Sequence, residues 1–229
     1  MDSMERLKQQ AAHEAVKQVT SGMVIGLGTG STAKHAVIRI GELIRSGDLK
    51  DIVGIPSSVQ TEDLARESGV PLTTFDEHPR IDLTIDGADE VAPDLNLIKG
   101  GGGALLREKI LAQSSRRNII IVDEGKLSAR LGTLWSLPVE VIPFARRTEE
   151  GFLESLGASA VLRTDAKGEP VYTDQNNLIY DAAFGPIADP EDLAAKLNDR
   201  SGIMAQGLFI GLAHEVIIAG GDGLRRLKK

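Results

Sequence analysis

Apolar residues in the first 134 positions alternate between short continuous runs and segments in which they recur every three or four positions. The runs predict buried strands, and the spaced segments predict amphipathic helices. The predicted strands are 23–28, 52–55, 72–75, 81–85, 95–98 and 118–122, and the predicted helices are 4–19, 33–45, 59–67 and 104–113. Apolar strands that alternate with helices are typical of a parallel sheet covered on both faces. We therefore predict an α/β fold with a Rossmann-like parallel sheet.

The pattern changes after about residue 134. The predicted strands there are 139–144, 160–163, 178–182 and 203–209, and the predicted helices are 148–156 and 189–197. Their order is that of a small ferredoxin-like α+β unit. Asp189 followed by Pro190 predicts the start of the second helix, since Asp is a favoured cap and Pro suits the first helical position. Residues 216–218 predict a return to the large sheet. We expect a Rossmann-like domain at 1–134 and 208–229, and the small domain at 135–207.

Composition narrows the class of protein. The 229 residues are 41% hydrophobic and 26% charged, which is ordinary for a globular protein. A formal net charge of -7, with no Lys/Arg stripe, argues against nucleic-acid binding. The absence of cysteine excludes disulfides, cysteine nucleophiles and thiolate metal sites. There is no apolar run of about 18 residues and no signal-peptide core, so we expect a cytoplasmic protein that binds no membrane.

The most informative segment runs from Lys99 through four glycines, Gly100–Gly103, into a predicted helix with Glu108 in its second turn. Consecutive glycines indicate a sharp bend or a close approach to a ligand. Backbone N–H groups at a helix start can bind an anion. The combination of a cation, a glycine turn and a carboxylate favours acid–base chemistry on an anionic substrate. A flexible linker is the alternative, but linkers are richer in Ser and polar residues.

A second motif, Gly26–Ala33, which includes Thr29, Gly30, Ser31 and Thr32, lies at the turn between a predicted strand and a predicted helix. Glycines there allow a backbone to close on an oxyanion, and the hydroxyl groups add donors at the helix start. Gly28–Ala33 also fits the dinucleotide pattern, but residues 56–58 are Pro-Ser-Ser where that pattern needs an acid. No lysine follows Gly30, which excludes a Walker A loop. A site for phosphate or sugar hydroxyls is favoured, with a tight turn closed by a Ser/Thr cap as the alternative.

The third motif, Asp86-Gly87-Ala88-Asp89-Glu90, follows a predicted strand at its carboxyl end, where ligands of open α/β sheets collect. Two aspartates three residues apart in a bend can point into one pocket, where their mutual repulsion either raises the pKa of one carboxyl or requires a cation. The cation that balances the two aspartates could be a bound Mg²⁺ ion or the ammonium group of Lys99. The four histidines have no ligand spacing: His13, His35, His78 and His214. A solvated acidic loop is the remaining alternative.

These motifs, in this order and with the small domain after them, resemble ribose-5-phosphate isomerases of the A type over essentially the whole chain. The resemblance implies an aldose–ketose isomerase of the non-oxidative pentose phosphate pathway that interconverts D-ribose 5-phosphate and D-ribulose 5-phosphate without a metal or cofactor. It implies that Glu108 is the general base. The substrate-binding positions that it implies are Thr29, Gly30, Ser31, Thr32, Asp86, Gly87, Ala88, Asp89, Lys99, Gly100, Gly101, Gly102 and Lys126.

The catalytic residues expected beside Glu108 are Lys99, Asp86 and Asp89. Lys99 would stabilise the charge that develops on the substrate oxygen. The two aspartates would hold sugar hydroxyls, and one could assist opening of the furanose ring. We expect the phosphate near Lys126 and the Thr29–Thr32 turn, and the resemblance implies Lys8 as a further contact, although no motif surrounds it.

Relatives associate as dimers or tetramers, so we expect a homodimer or homotetramer that binds a pentose 5-phosphate. Residues 208–214 depart from the Arg- or Asn-bearing versions associated with the family, which affects the domain junction. Two alternatives remain. A sugar-phosphate isomerase–deaminase would need a histidine base, and none is suitably placed. A catalytically silent sugar-phosphate sensor would be expected to carry a helix-turn-helix and to lack Glu108 or Lys99, and both residues are present.

Overall fold

The computed structural model describes residues 3–229. The helices are α1 (Ser3–Val16), α2 (Ala33–Ser46), α3 (Val59–Ser68), α4 (Leu105–Ser114), α5 (Arg146–Ser155) and α6 (Pro190–Asn198). The strands are β1 (Val24–Leu27), β2 (Val53–Pro56), β3 (Ile81–Asp86), β4 (Glu90–Val91), β5 (Leu97–Ile98), β6 (Ser115–Asp123), β7 (Leu137–Val141), β8 (Ser159–Leu162), β9 (Leu178–Ala183), β10 (Ile203–Gln206), β11 (Leu208–Phe209), β12 (Glu215–Gly220) and β13 (Gly223–Lys228). No helix among these residues is long and apolar enough to cross a membrane.

The chain divides into two compact units. Unit 1 consists of the described residues up to Ala88, with Arg107–Lys126 and Gly211–Lys229, and unit 2 consists of Asp89–Leu106 and Leu127–Ile210. The boundaries that the sequence predicts, 1–134 with 208–229 and 135–207, stay a prediction. Unit 2 is larger than the small domain expected from the sequence, because it also contains β4, β5 and β11.

Unit 1 is built on a six-stranded sheet with the order β13-β12-β6-β3-β1-β2. The strands β12, β6, β3, β1 and β2 run parallel to one another, and β13 is antiparallel to β12. One apolar cluster joins the sheet to α1 and α2 through residues such as Ile25, Leu83, Val16 and Ile40. A separate cluster joins Leu111 of α4 to the sheet. Burial of each aliphatic side chain in these clusters stabilises the folded state by about 1.5–3 kcal/mol. The predicted parallel sheet with flanking helices is confirmed.

Two predictions for unit 1 differ from the structure. Residues 72–75 make only one isolated bridge, from Leu72 to Gly54. The Thr73 hydroxyl bonds the side chains of Glu77 (2.7 Å) and His78 (2.8 Å), which turns the chain away from the sheet. The exposed strand β13 was not predicted. Its polar sequence carries no strand pattern, and its pairing with β12 determines its conformation.

Unit 2 contains a four-stranded antiparallel sheet with the order β10-β7-β9-β8. Helices α5 and α6 contribute Leu153 and Leu197 to a core with Val139 and Tyr180 of the sheet. The chain order of strands and helices is the predicted ferredoxin-like one. The Asp189 carboxylate accepts a hydrogen bond from the Asp192 N–H at 2.9 Å, which confirms the predicted start of α6.

A three-stranded antiparallel sheet, β11-β5-β4, completes unit 2. The predicted strand 203–209 is therefore wrong as one element, because it divides into β10 and β11 at Gly207. The Gly207 N–H donates to the Pro138 carbonyl at 2.8 Å, and the Gly207 carbonyl accepts from the Lys99 N–H at 2.9 Å. A Cβ at Gly207 would lie 2.5 Å from the Lys99 carbonyl oxygen, so only glycine allows this change of sheet.

Candidate active site

The predicted site residues are divided between the two units. Unit 1 carries Thr29–Thr32, Asp86–Ala88, Glu108 and Lys126, and unit 2 carries Asp89 and Lys99–Gly102.

The Thr29 side chain supports the turn between β1 and α2. Its hydroxyl oxygen is buried and lies within hydrogen-bond distance of three other hydroxyl groups, those of Ser57 (2.6 Å), Ser58 (2.8 Å) and Thr61 (3.0 Å). Ser57 and Ser58 occupy the position where a dinucleotide site would need an acid. The structure shows what they do instead, since they hold the turn against α3 through this buried hydroxyl cluster.

The rest of the turn borders an open cavity of about 560 Å³ lined by Gly28, Gly30, Ser31, Lys34, Gln60, Thr61, Asp63, Leu64 and Glu67. Ser31 Oγ accepts a hydrogen bond from Lys8 Nζ at 2.9 Å, so the structure brings together two predicted phosphate contacts. The Thr32 side chain makes no capping hydrogen bond to α2. Lys34, at the start of α2, also lines this cavity, and its Nζ forms an ion pair with Glu5 at 2.7 Å.

Asp86 is the last residue of β3 and is 2% exposed. Its Oδ1 accepts the N–H groups of Gly87 (2.7 Å) and Thr29 (3.2 Å). A Cβ at Gly28 would lie 2.3 Å from the same oxygen, so Gly28 is required by the close approach of the carboxylate. The carboxylate is thus oriented by the turn after β1. Gly87 and Ala88 follow it and are half-buried.

Lys126 ends a short 3₁₀ turn, Glu124–Lys126, that follows β6. Strand β6 pairs in parallel with β3. Asp86 ends β3, and Lys126 lies just after the neighbouring strand β6. Both residues are therefore at the carboxyl-end edge of the sheet of unit 1.

Helix α4 begins at Leu105, so Glu108 lies in its first turn and not in the second turn predicted from the sequence. The Glu108 side chain is buried, with 5% exposure. The positive end of the helix dipole stabilises a carboxylate in the first turn. The next residue, Lys109, is also unusual, because burial lowers the pKa of its ammonium group to about 7. The environment of Lys109 has no signal in the sequence, since desolvation depends on tertiary packing.

In unit 2, the acidic motif meets the glycine tract. The Asp89 N–H donates to the Ile98 carbonyl at 2.9 Å, and Asp89 Oδ2 accepts the Gly101 N–H at 2.7 Å. A Cβ at Gly101 would lie 2.6 Å from Asp89 Oδ1. Gly100 and Gly103 have φ angles of +106° and +81°, which favour glycine. The tract is thus a defined turn beside the Asp89 carboxylate.

Lys99 is 3% exposed and directly precedes this turn. Its Nζ lies 5.6 Å from the centroid of the Phe209 ring, within the range of a cation–π interaction. Phe209 is fully buried on β11, which pairs with β5. Phe209 lies in the segment 208–214, where we expected a departure from the family's pattern on sequence alone. Its contact with Lys99 was not predicted, because it arises from strand pairing between distant parts of the chain.

Glu90 is a further residue whose role the sequence did not indicate. It is fully buried beside Asp89, and its carboxylate accepts four backbone N–H groups at 3.0–3.2 Å, those of Gly132, Thr133, Leu134 and Trp135. Hydrogen bonds from several N–H groups compensate for the burial of a charge. Glu90 therefore anchors the 132–135 loop to the strand that begins next to Asp89.

Comparisons with known proteins agree with these observations. The family model described as ribose 5-phosphate isomerase A (phosphoriboisomerase A) matches residues 53–223. The ribose-5-phosphate isomerase A of Desulfatibacillum aliphaticivorans is 56% identical over 228 residues, 100% of this chain and 99% of that protein. That of Chloroflexus aurantiacus is 56% identical over 225 residues, 98% of this chain and 94% of that protein.

A solved structure of a D-ribose-5-phosphate isomerase in complex with phospho-erythronic acid has a TM-score of 0.97 and 42% identity, with 100% of both chains covered. The similarity includes both units, and the class of protein is that of the aldose–ketose isomerases. The chain belongs to the ribose 5-phosphate isomerase A family. The comparisons give no support to the alternative of a silent sugar-phosphate sensor.

Proposed function

We propose that the protein interconverts D-ribose 5-phosphate and D-ribulose 5-phosphate by proton transfer through an enediolate, without a metal or cofactor. The observation that carries the proposal is the buried Glu108 carboxylate on the helix that directly follows the Lys99–Gly103 segment. Membership of the isomerase family supports the same reaction.

Glu108 takes the proton from C2 of the open-chain aldose and returns it at C1, while the hydroxyl proton passes from O2 to O1. A positioned general base contributes about 10²–10⁴-fold to the rate. The burial of Glu108 supports this role.

Lys99 stabilises the negative charge that forms on the substrate oxygen in the enediolate. A buried cation acts there in a low dielectric, where its effect exceeds that in water. Asp86 and Asp89 hold sugar hydroxyls, and one of them assists ring opening. Each carboxylate has an oxygen oriented by a backbone N–H group, as a positioned acceptor requires.

The phosphate group binds at the Thr29–Thr32 turn and Lys126, with Lys8 as a further contact. The hydrogen bond from Lys8 to Ser31 and the start of α2 beside the turn support this location. The phospho-erythronic acid bound in the solved relative is itself a phosphorylated sugar acid. We propose a cytoplasmic homodimer or homotetramer that binds neither nucleic acid nor membranes.

The test is to incubate the purified protein with ribose 5-phosphate in D₂O with excess chelator, and to follow ketose formation and deuterium uptake. We expect isomerisation at an unchanged rate after chelation, with deuterium at C2 of the aldose or C1 of the ketose. The Glu108→Gln variant is the control for a contaminating isomerase. Loss of activity on chelation would contradict the metal-free reaction, and the absence of isomerisation would contradict the function.

A further inference from the structure

Arg163 connects the small antiparallel sheet of unit 2 to the glycine tract. It follows β8, and its side chain is 16% exposed. Its Nη1 donates to the carbonyl oxygens of Gly100 (2.9 Å) and Gly101 (3.1 Å). Its Nε and Nη2 donate to the two carboxylate oxygens of Asp181 on β9, at 2.9 Å and 2.5 Å. One guanidinium group therefore bonds two successive peptides and one carboxylate.

These bonds fix the orientation of two peptide planes in a segment that has no side chains of its own. In a trans peptide the C=O and N–H groups point in opposite directions. Because Arg163 holds the carbonyls of Gly100 and Gly101, the N–H groups of Gly101 and Gly102 point away from the guanidinium. The Gly101 N–H is the donor to Asp89 Oδ2. Through the Gly100–Gly101 peptide, Arg163 orients the N–H group that binds the Asp89 carboxylate. Through the Gly101–Gly102 peptide, it sets the direction of the Gly102 N–H group.

The charge of Arg163 adds to this geometric effect. A cation bound to a carbonyl oxygen polarises the peptide, and the N–H group at its other end becomes a better donor. Asp181 holds the guanidinium by a bidentate pair, which restricts its rotation. A lysine cannot make the same contacts, because it has no planar fork of donors.

We propose that Arg163 is a positioning residue for the isomerisation, which presents the polarised Gly102 N–H to the anionic intermediate and orients Asp89 through Gly101. The inference rests on the proposed function. An oxyanion donor that is oriented before the reaction lowers the barrier, and the loss of one such donor costs about 10²–10³-fold in turnover. Loss of a residue that only orients the donor is expected to cost less.

The test compares Arg163→Met with a matched control, Arg200→Met. Arg200 also makes a two-bond pair with a carboxylate in unit 2, at 2.9 Å and 3.1 Å, but its partner is Glu149 of α5. We expect both variants to lose thermal stability. Only Arg163→Met should lower kcat, by roughly 10–100-fold, with KM changed less than about threefold. In Arg163→Met, the affinity for phospho-erythronic acid, which carries an anionic carboxylate, should fall by a larger factor than the affinity for ribose 5-phosphate.

A second measurement does not depend on turnover. In ¹⁵N-labelled protein the Gly101 and Gly102 amide resonances should shift in Arg163→Lys and stay unchanged in Arg200→Met. If Arg163→Met does not fold, Arg163→Lys takes its place in the kinetic assay, with an intermediate loss of kcat expected. Millimolar guanidinium should partly restore kcat in Arg163→Ala and have no such effect in Arg200→Ala.

Three results would overturn the inference. These are a native kcat in the Arg163 variants, an equal fall of kcat in the Arg163 and Arg200 variants, and a rise of KM alone. A native protein that does not isomerise ribose 5-phosphate would contradict the proposed function instead, and the amide shifts would still report whether Arg163 orients the two peptides.

Discussion

The carboxylate of Asp89 accepts a hydrogen bond from the backbone N–H of Gly101, with 2.7 Å between Oδ2 and the nitrogen. The acidic motif and the glycine tract therefore meet at one bond, although the two residues lie 12 positions apart. A side chain at position 101 would collide with the same carboxylate. Close approach explains the glycine at this position, and a flexible linker does not.

Replacing Glu108 by Gln keeps the size of the side chain and removes the base. We expect turnover to fall by about 10²–10⁴-fold while the substrate still binds, because removal of a general base affects mainly the proton-transfer step. Steady-state rates and calorimetric binding measure the two effects. The control is Glu42→Gln, at an exposed position that is ion-paired with Arg39. If Glu108→Gln turns over at close to the native rate, Glu108 is not the general base.

Replacing Lys99 by Ala should lower kcat more than it weakens substrate binding. The ammonium group stabilises charge that appears only in the enediolate, so its contribution belongs to the transition state. Pre-steady-state binding and steady-state rates separate the two quantities. If KM alone rises, Lys99 contacts the phosphate and its assigned role is wrong.

Replacing Lys126 by Ala should reduce activity on ribose 5-phosphate and leave the trace activity on free ribose unchanged. A charge-assisted contact to phosphate contributes about 1.5–3 kcal/mol, and free ribose does not make it. The ratio of kcat/KM for the two substrates is the measurement, with Lys8→Ala as a parallel variant. If kcat/KM falls by the same factor for both substrates, Lys126 does not bind the phosphate. The phosphate site would then be assigned to the Thr29–Thr32 turn and Lys8.

The burial of Lys109 should make the stability of the protein depend on pH between about 7 and 10.5. Its pKa is about 7 in the folded protein, whereas the ordinary lysine value of 10.5 applies to the unfolded chain. In this window the unfolded chain binds more protons, so the free energy of unfolding rises with pH. Below pH 7 both states are protonated, and the cost of burying the charge is fully present.

Urea unfolding of the native protein and of Lys109→Met across this window checks the prediction. We expect the variant to gain stability at pH 7 and to depend less on pH, by up to about 4 kcal/mol over the window. Lys196→Met, at a half-exposed position paired with Asp192, is the control for loss of a lysine. Identical slopes in native protein and Lys109→Met would show that Lys109 is not the group responsible.

The main sheet and most of the ferredoxin-like order were predictable from the sequence because most of their strands are buried, whereas β8 alternates between exposed and partly buried positions. Burial imposes an apolar pattern, as in residues 118–122 of β6 and 216–218 of β12. The division of 203–209 at Gly207 was not predictable, since it depends on the approach of the Lys99 carbonyl. Strand β13 is exposed and carries no such pattern.

For the candidate site, the motifs indicated the residues, and the structure adds how they are supported. The hydroxyl of Thr29 belongs to a buried cluster, and its backbone N–H donates to Asp86. Phe209 and Arg163 have no local signal in the sequence. They reach Lys99 and the glycine tract through strand pairing and long-range hydrogen bonds. Contacts of this kind depend on the folded chain as a whole.

The antiparallel strand β13 also affects how the protein behaves at high concentration. An edge strand offers unpaired backbone groups to other chains, and cationic side chains oppose such pairing. Strand β13 carries Arg225, Arg226 and Lys228, whereas its neighbour β12 is buried along its whole length. A chain shortened before Gly223 would expose β12 as a hydrophobic edge, and its colloidal solubility would fall because strand addition between molecules would no longer be blocked.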